Sequence, residues 1–238
     1  GGDPYVRLTD FISSLTSKGR HPVTSAVSIE GNPEAGKNIE QNSKTELDST
    51  VIISGLSIFN KDKLIGFLST EEARDYLWTQ GLSRTSLTVP CFMEGNEDEQ
   101  NFLDIRIIHS HSDVKTTEDE SGVKIKVEIS GEAKIQGTQC HQNLEKIQTY
   151  ESHEDALNKY IEEKILATIQ KMQDEYKTDI FGFGEVYYRT SPKKFKKVED
   201  EWDEIFSEAE VEVESDYRIK RSGIRNKSFL TDEPVSGQ

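Results

Sequence analysis

One long amphipathic segment, from Ser152 to Tyr176, constrains the fold of this 238-residue chain more than any other feature. Its apolar residues recur at steps of four, four, four and three, which places them on one face of a helix. They are Leu157, Ile161, Ile165, Ile169 and Met172. Ser152 suits an N-cap, and Asp155 gives a weaker form of the capping box. The pattern predicts a helix over 152–176 that packs against a core through one face.

A hairpin and a short helix are predicted well before the long helix. The apolar run 51–59 and the return 64–68 flank the polar turn Asn60 to Lys63, as in a β-hairpin. Ser69 and Glu72 have the spacing of a full capping box, and Gly81 suits the position just past a helix C-terminus. The sequence therefore predicts two antiparallel strands followed by a helix that starts at about residue 70 and ends near 80.

Alternating apolar residues predict more strands around the long helix. The runs 86–93, 102–109 and 123–129 predict three successive antiparallel strands, and 211–219 predicts a last one. Between the long helix and that last strand, a second amphipathic helix is predicted by the helical spacing of Phe195, Val198, Trp202, Ile205 and Phe206. We therefore predict an α+β fold of antiparallel sheets packed with helices, in two domains over 1–82 and 83–238.

The charge of the chain argues against a nucleic-acid partner. Its formal net charge is −15, whereas proteins that bind DNA or RNA neutralise phosphates with clustered Lys and Arg. No stretch approaches the roughly 20 apolar residues of a membrane span. The first residues have no signal-peptide pattern, so we expect any targeting or anchoring segment to lie upstream of this chain.

Two cysteines, Cys91 and Cys140, are too few for a disulfide framework. Cysteine outside such a framework is commonly buried as a small apolar residue. We therefore expect two buried free thiols rather than a bridge.

Two patterns that could support chemistry each have a plainer interpretation. Residues 31–38 approach the phosphate-loop motif, but Asn38 replaces its hydroxyl and no helical stripe follows Lys37, so we predict an exposed turn. His109 and His111 share one side of a strand and could bind a metal ion together with Cys140 and His141. Cys140 and His141 are adjacent, however, so their side chains diverge on an extended chain. We therefore predict exposed histidines and no metal site. No cofactor site is predicted either.

Three carboxylates lie near apolar turns, where burial can raise a pKa towards that of a glycosidase acid. They are Glu72, Asp179 and Glu185. Asp179, immediately before a turn, is better suited to capping a helix with its side-chain oxygen. We predict the structural role and no catalytic residue.

Residues 55–78 resemble the C-subunit family of GerA-type spore germinant receptors. The family pattern is a Gly-Leu-Ala-Val-Phe-like strand, a Lys-Asp-Lys turn, a Gly-x-Leu return and a Glu-led helix that ends in an aromatic residue. Ser57 stands where the family more often has Ala. The matching residues are Gly55, Leu56, Phe59, Lys61, Asp62, Lys63, Gly66, Leu68, Glu72 and Trp78.

The tail after the long helix is similar to the C-terminal domain of the same family. It has Asp-Ile-Phe-Gly-Phe-Gly, then Pro, Trp and Phe in a helical stretch, then a Val-x-Val strand before Gly. With Phe183 inside the motif, we predict a structural role for these residues. They are Asp179, Phe181, Gly182, Gly184, Pro192, Trp202, Phe206, Val211, Val213, Ile219 and Gly223.

The resemblance implies a non-catalytic receptor subunit that acts in assembly and signal transmission during nutrient-triggered germination. Its implied partners are the A and B membrane subunits and, through a lipid anchor outside this chain, the outer face of the inner spore membrane. Two alternatives remain open from the residues. One is a module that binds the germinant molecule itself, and the remoter one is a cell-wall hydrolase that uses the three carboxylates above.

Overall fold

The computed structural model describes residues 7–34, 37, 49–82, 84–91, 101–120, 122–140 and 146–220. The chain forms two compact units that are interleaved in sequence. Unit 1 combines Asp75–Gln170 with the segment from Ala209 onward, and unit 2 combines the segment up to Arg74 with Lys171–Glu208. The predicted domains, 1–82 and 83–238, divide the chain differently and stay a prediction.

Unit 2 contains a three-stranded antiparallel sheet in the order β1-β2-β3. The predicted hairpin is confirmed, since β2 pairs with β3 from Leu56↔Leu68 to Asn60↔Lys63. The elements before the long helix are α1 (Leu8–Thr16), β1 (Val23–Gly31), β2 (Ser49–Asn60), β3 (Lys63–Leu68) and α2 (Thr70–Thr79). The last of these, α2, begins in unit 2 and ends in unit 1.

Unit 1 contains a four-stranded sheet in the order β4-β5-β6-β7. The first three strands are antiparallel, as predicted, but β7 pairs with β6 in parallel, from Lys124↔Glu210 to Ala133↔Ile219. With its helices, the sheet confirms the predicted α+β class. The elements are β4 (Ser86–Pro90), β5 (Phe102–Asp119), β6 (Gly122–Thr138), α3 (Ile147–Lys171) and β7 (Glu210–Ile219).

The long helix α3 begins five residues earlier than the sequence predicts. Ser152 is not its N-cap, because residues 147–151 continue the helix and bury Thr149 and Tyr150. The predicted stripe is confirmed, since Leu157, Ile161, Ile165 and Ile169 are fully buried. A single π-helical turn, Met172–Tyr176, follows, and Lys177 closes it in the left-handed conformation with φ 47°.

Polar side chains of α3 satisfy the outer edge of β7. The N–H groups of Ser215, Tyr217 and Ile219 donate to Glu162 Oε1 (2.9 Å), Asn158 Oδ1 (2.7 Å) and Glu154 Oε1 (2.7 Å), respectively. The three acceptors are four residues apart, which is the spacing of one helix face. The three donors are two apart, which is the spacing of one strand edge. We call this set of contacts the edge ladder.

Three short helices complete unit 2: α4 (Phe183–Thr190), α5 (Pro192–Val198) and α6 (Trp202–Glu208). The single second helix predicted from Phe195 to Phe206 is wrong, because the chain turns at residues 199–201 between α5 and α6. Phe195 and Phe206 are nevertheless both buried, as their spacing predicts. Within the described residues, no helix has the length and apolarity needed to cross a bilayer.

The two cysteines form a disulfide, so the prediction of free thiols is wrong. Cys91 follows β4 and Cys140 follows β6, and their Cα atoms lie 6.1 Å apart although 49 residues separate them in sequence. The backbone N–H of Cys91 donates to Asn101, and that of Gln139 donates to Phe102. Both cysteines are thus brought to the same end of β5 by strand register, which the sequence does not reveal.

Candidate functional site

In unit 2, the carboxylate of Asp179 is fully buried (0% exposed) and accepts four hydrogen bonds. Its Oδ1 accepts the backbone N–H groups of Phe181 and Gly182, both at 2.9 Å. Its Oδ2 accepts the backbone N–H of Gly184 at 2.9 Å and the indole Nε1–H of Trp202 at 3.0 Å. We call residues 179–184, which wrap around this carboxylate, the Asp179 turn.

Two opposing effects set the ionisation of Asp179. Burial raises the pKa of its carboxyl above the ordinary value, because the charged form loses its hydration. The N–H donors of Gly184, Trp202 and Gly182 act in the other direction, since each stabilises the carboxylate. Both oxygens are occupied by protein donors, so this carboxyl has the geometry of a cap for the start of α4, as the sequence suggests.

Gly184 of the Asp179 turn packs directly against the backbone of Gly19 and the indole ring of Trp202. A Cβ atom at Gly184 would lie 2.6 Å from Gly19 Cα and 2.6 Å from Trp202 Nε1, distances that no side chain tolerates. Gly182 initiates α4 with φ 86°, a conformation that L-residues rarely adopt. Each glycine of the motif therefore has a steric reason to be glycine.

The aromatic residues of the motif form two groups of contacting rings. Phe181 and Phe183 stack with ring centroids 5.1 Å apart, and Phe206 lies 6.5 and 6.1 Å from them, respectively. Trp202 contacts Phe195 with centroids 5.6 Å apart. Aromatic side chains bury large apolar areas, so both groups contribute to the core of unit 2.

The carboxylate of Glu72 accepts hydrogen bonds from Ser69 and Lys171. It accepts the Ser69 backbone N–H at 2.7 Å, while the Ser69 hydroxyl accepts the Glu72 N–H at 3.2 Å, which confirms the predicted capping box. Its other oxygen accepts Lys171 Nζ at 2.7 Å. Burial acts to raise the pKa of Glu72, but the hydrogen bonds from Lys171 and Ser69 outweigh it and hold that pKa below its ordinary value. A lowered pKa does not suit a general acid.

The remaining motif residues occupy the hairpin and α2. Gly55 has φ 133°, and a Cβ there would lie 1.9 Å from the Leu68 carbonyl oxygen. Gly66 lies against the Tyr176 ring, where a Cβ would come within 2.3 Å. Phe59 meets Phe11 edge-on at 5.2 Å. Trp78 is fully buried, and Lys63 is exposed at the start of β3.

Gly81 closes α2 as predicted. It has φ 66°, and its N–H donates to the Trp78 carbonyl at 2.9 Å while the Leu82 N–H donates to the Leu77 carbonyl at 3.0 Å. This pair of bonds is the Schellman arrangement of a helix C-terminus.

Sequence reasoning missed a part-buried cluster around His21. Its Nε2 lies 2.9 Å from Asp203 Oδ1, and its Nδ1 accepts the Lys61 backbone N–H at 3.1 Å. An Nδ1 that accepts carries no proton, so Nε2–H donates to Asp203. Asn60 Nδ2 also donates to Asp203, at 3.3 Å. Both ring nitrogens are engaged, so the cluster joins the hairpin turn to α6, and its partners are too distant in sequence to be predicted.

The other predicted candidates are not brought together. Lys37 pairs with Glu34 at 2.7 Å, and the phosphate-loop positions 35, 36 and 38 lie outside the described residues. His109 and His111 are exposed, and His141 is also outside the described residues. In the described part of the chain, no group of three or more His, Cys, Asp or Glu side chains is placed to hold a metal ion.

These features define an α+β protein whose sequence motifs are explained by close packing and by a capped carboxylate. The family model described as "Spore germination B3/GerAC like, C-terminal" matches residues 54–223. This chain therefore belongs to the spore germination B3/GerAC-like family, and the predicted resemblance is confirmed. The match includes both stretches that carried the resemblance.

The curated relatives come from Bacillus subtilis (strain 168). Spore germination protein KC is 23% identical over 224 residues, which cover 93% of this chain and 54% of that protein. Spore germination protein B3 is 24% identical over 175 residues, which cover 73% of this chain and 45% of that protein. The chain spans about half the length of the curated relatives it matches.

The crystal structure of the GerBC protein has a similar fold. It aligns with a TM-score of 0.69 at 20% sequence identity, and the alignment covers 92% of this chain and 62% of that chain. At this identity the likeness establishes the fold, and it confirms the α+β class.

Proposed function

We propose that this chain is part of the C subunit of a spore germinant receptor and acts, without catalysis, in receptor assembly and signal transmission. Family membership and the spore germination relatives support the biological setting. The saturated carboxylate of Asp179 and the ion-paired carboxylate of Glu72 support a structural role for these two acids.

An apolar surface supports an assembly role. It lies on one face of the antiparallel strands β1 and β2, the second of which is also part of the β2–β3 hairpin. Val27 pairs with Ile53 and Ile29 pairs with Val51, so the four side chains share that face. Their exposed fractions are 66, 43, 56 and 67%, respectively. Large apolar patches on a polar, acidic protein mark interaction sites, because covering them removes an unfavourable contact with water. We call these residues the hairpin patch.

We assign the hairpin patch to a contact with the A or B membrane subunit. The subunit is proposed to lie at the outer face of the inner spore membrane, with a lipid anchor outside this chain. A tether of that kind raises the effective concentration of the patch at its membrane partners. The Cys91–Cys140 disulfide supports a location outside the cytoplasm, because disulfides persist mainly in oxidising compartments.

The test is co-purification of the full-length subunit with A and B subunits from spores. Ile29→Lys and Val51→Lys each place a charge in the hairpin patch and should abolish recovery of the complex. Ser28→Lys is the matched control, because Ser28 is exposed on the opposite face of the same strand. Recovery of an intact complex with both patch variants, in protein that retains its fold, would contradict the proposal.

A further inference from the structure

Unit 2 has an open groove of about 690 Å³ that none of the roles above uses. One wall is the end of α1 and the residues that follow it, Ser13 to Arg20. The other wall is formed by α4 and α5. Phe195, which is buried, contributes to its base, and Tyr188, which is exposed, contributes an aromatic side chain.

The charge of this groove is opposite to that of the whole chain. Four basic side chains line it, against two acidic ones, whereas the chain as a whole has a net charge of −15. The basic residues are Lys18, Arg20, Arg189 and Lys196, and the acidic ones are Glu185 and Glu199. A concave surface with an excess of one sign concentrates small ions of the other sign.

The four basic side chains differ in whether they form ion pairs with carboxylates. Lys18 Nζ pairs with Glu199 at 2.7 Å and with Asp200 at 3.2 Å. Arg20 lies 4.0 Å from Glu185. In contrast, neither Arg189 nor Lys196 has a hydrogen-bonded or ion-paired carboxylate among the residues that the structure describes. These two side chains, from adjacent helices, are available to a ligand.

The wall opposite Arg189 and Lys196 is held in place by contacts with Gly184 of the Asp179 turn and with Glu185 of α4. The Gly19 carbonyl accepts the Glu185 backbone N–H at 3.1 Å, and the Ser17 hydroxyl donates to Glu185 Oε1 at 2.9 Å. The close approach of Gly19 to Gly184 fixes the separation of the two walls. The groove is therefore preformed, and little ordering is needed on binding.

We infer that this groove binds a small solute through a carboxylate or phosphate group held by Arg189 and Lys196. Arginine matches such groups with two parallel N–H donors, and lysine adds a point charge. The inference does not rest on the proposed assembly role, since the groove and the hairpin patch consist of different residues.

The test is a titration of the 238-residue chain with citrate and with inorganic phosphate, at constant ionic strength, followed by calorimetry and by amide NMR shifts. We expect saturable binding with a Kd of about 1 mM or tighter for at least one of the two anions. Arg189→Ala and Lys196→Ala should each weaken it by about 10-fold or more, the effect of losing one charge-assisted hydrogen bond. Lys193→Ala, on α5 outside the groove lining, should change Kd by less than about 2-fold.

Three outcomes would overturn the inference. The first is no saturable binding of either anion up to about 10 mM. The second is equal weakening by Lys193→Ala, which would indicate unspecific charge attraction. The third is Arg189-dependent binding to phosphatidylglycerol vesicles without binding of either free anion, which would assign the groove to a lipid headgroup. The variants change exposed residues, so an unaltered thermal midpoint verifies their folding.

Discussion

The indole Nε1–H of Trp202 donates to Oδ2 of Asp179 over 3.0 Å, in a site where both side chains are buried. The two residues are 23 positions apart, and this bond joins the turn after the long helix to α6. The same oxygen accepts the Gly184 N–H, so loss of the indole leaves a buried carboxylate with one donor fewer.

Trp202→Phe should lower the free energy of unfolding by about 2–3 kcal/mol, because it removes a hydrogen bond to a charged group and leaves a small void. Denaturant unfolding followed by circular dichroism measures this. Tyr188→Phe, at an exposed aromatic residue of α4, is the control and should change stability by less than about 0.5 kcal/mol. Equal stabilities of the two variants would show that the Trp202–Asp179 bond contributes nothing.

Gly184→Ala should destabilise unit 2 by about 3 kcal/mol or more, because its methyl group would overlap Gly19 and Trp202. Gly137→Ala is the control, since a Cβ there meets Asp104 Oδ2 at 3.4 Å and Asp104 Cβ at 3.9 Å, both ordinary contacts. Limited proteolysis and thermal unfolding should distinguish the two variants. A Gly184→Ala protein as stable as the Gly137→Ala protein would mean that the segment at Gly19 moves away from residue 184 without a cost in free energy.

Breaking the Cys91–Cys140 disulfide should cost roughly 3–4 kcal/mol, since it closes a long loop in the unfolded chain. We expect dithiothreitol to lower the thermal midpoint of the parent protein. It should leave the midpoint of the Cys91→Ser/Cys140→Ser variant unchanged. Two free thiols in the parent protein, counted by alkylation and mass spectrometry without reductant, would contradict the bridge.

His153 should make unit 1 less stable in mild acid. It is 1% exposed, its Nε2 has no partner among the described residues, and burial lowers its pKa below the ordinary 6.5. As the pH falls, His153 therefore binds a proton in the unfolded chain before it does so in the folded chain. The contribution of neutral His153 to the free energy of unfolding is complete above about pH 6.5 and falls as the pH drops below that value.

The pH effect of His153 is measured by urea unfolding between about pH 7.5 and 5, a window that contains the ordinary histidine pKa. The variant His153→Leu should lose less stability over this range than the parent protein. His111→Gln, at an exposed position, should keep the parent's dependence. Identical slopes for the parent and His153→Leu would show that His153 does not titrate on unfolding.

Local pattern was enough to predict the elements whose determinants are close in sequence. The stripe of α3, the hairpin and the Ser69–Glu72 capping box all depend on residues a few positions apart. The suggestion that Asp179 caps a helix also followed from its neighbours.

The features that the sequence did not reveal depend on register between distant segments. Cys91 and Cys140 meet only because β4 and β6 flank β5 with a particular offset. The parallel placement of β7 and the contact of His21 with Asp203 join segments whose spacing leaves no periodic signal. The early start of α3 was missed because Thr149 and Tyr150 are buried by tertiary packing, which overrides the favourable cap at Ser152.

The edge ladder has a consequence for how this protein meets others. A boundary strand usually presents a row of open main-chain donors that invites another chain to join, which is a common origin of fibrils. At β7, Glu154, Asn158 and Glu162 already occupy the donors of Ile219, Tyr217 and Ser215, as carbonyls of a neighbouring strand would otherwise do. Sheet growth is therefore blocked on this side, and the protein is protected there against self-templated polymerisation.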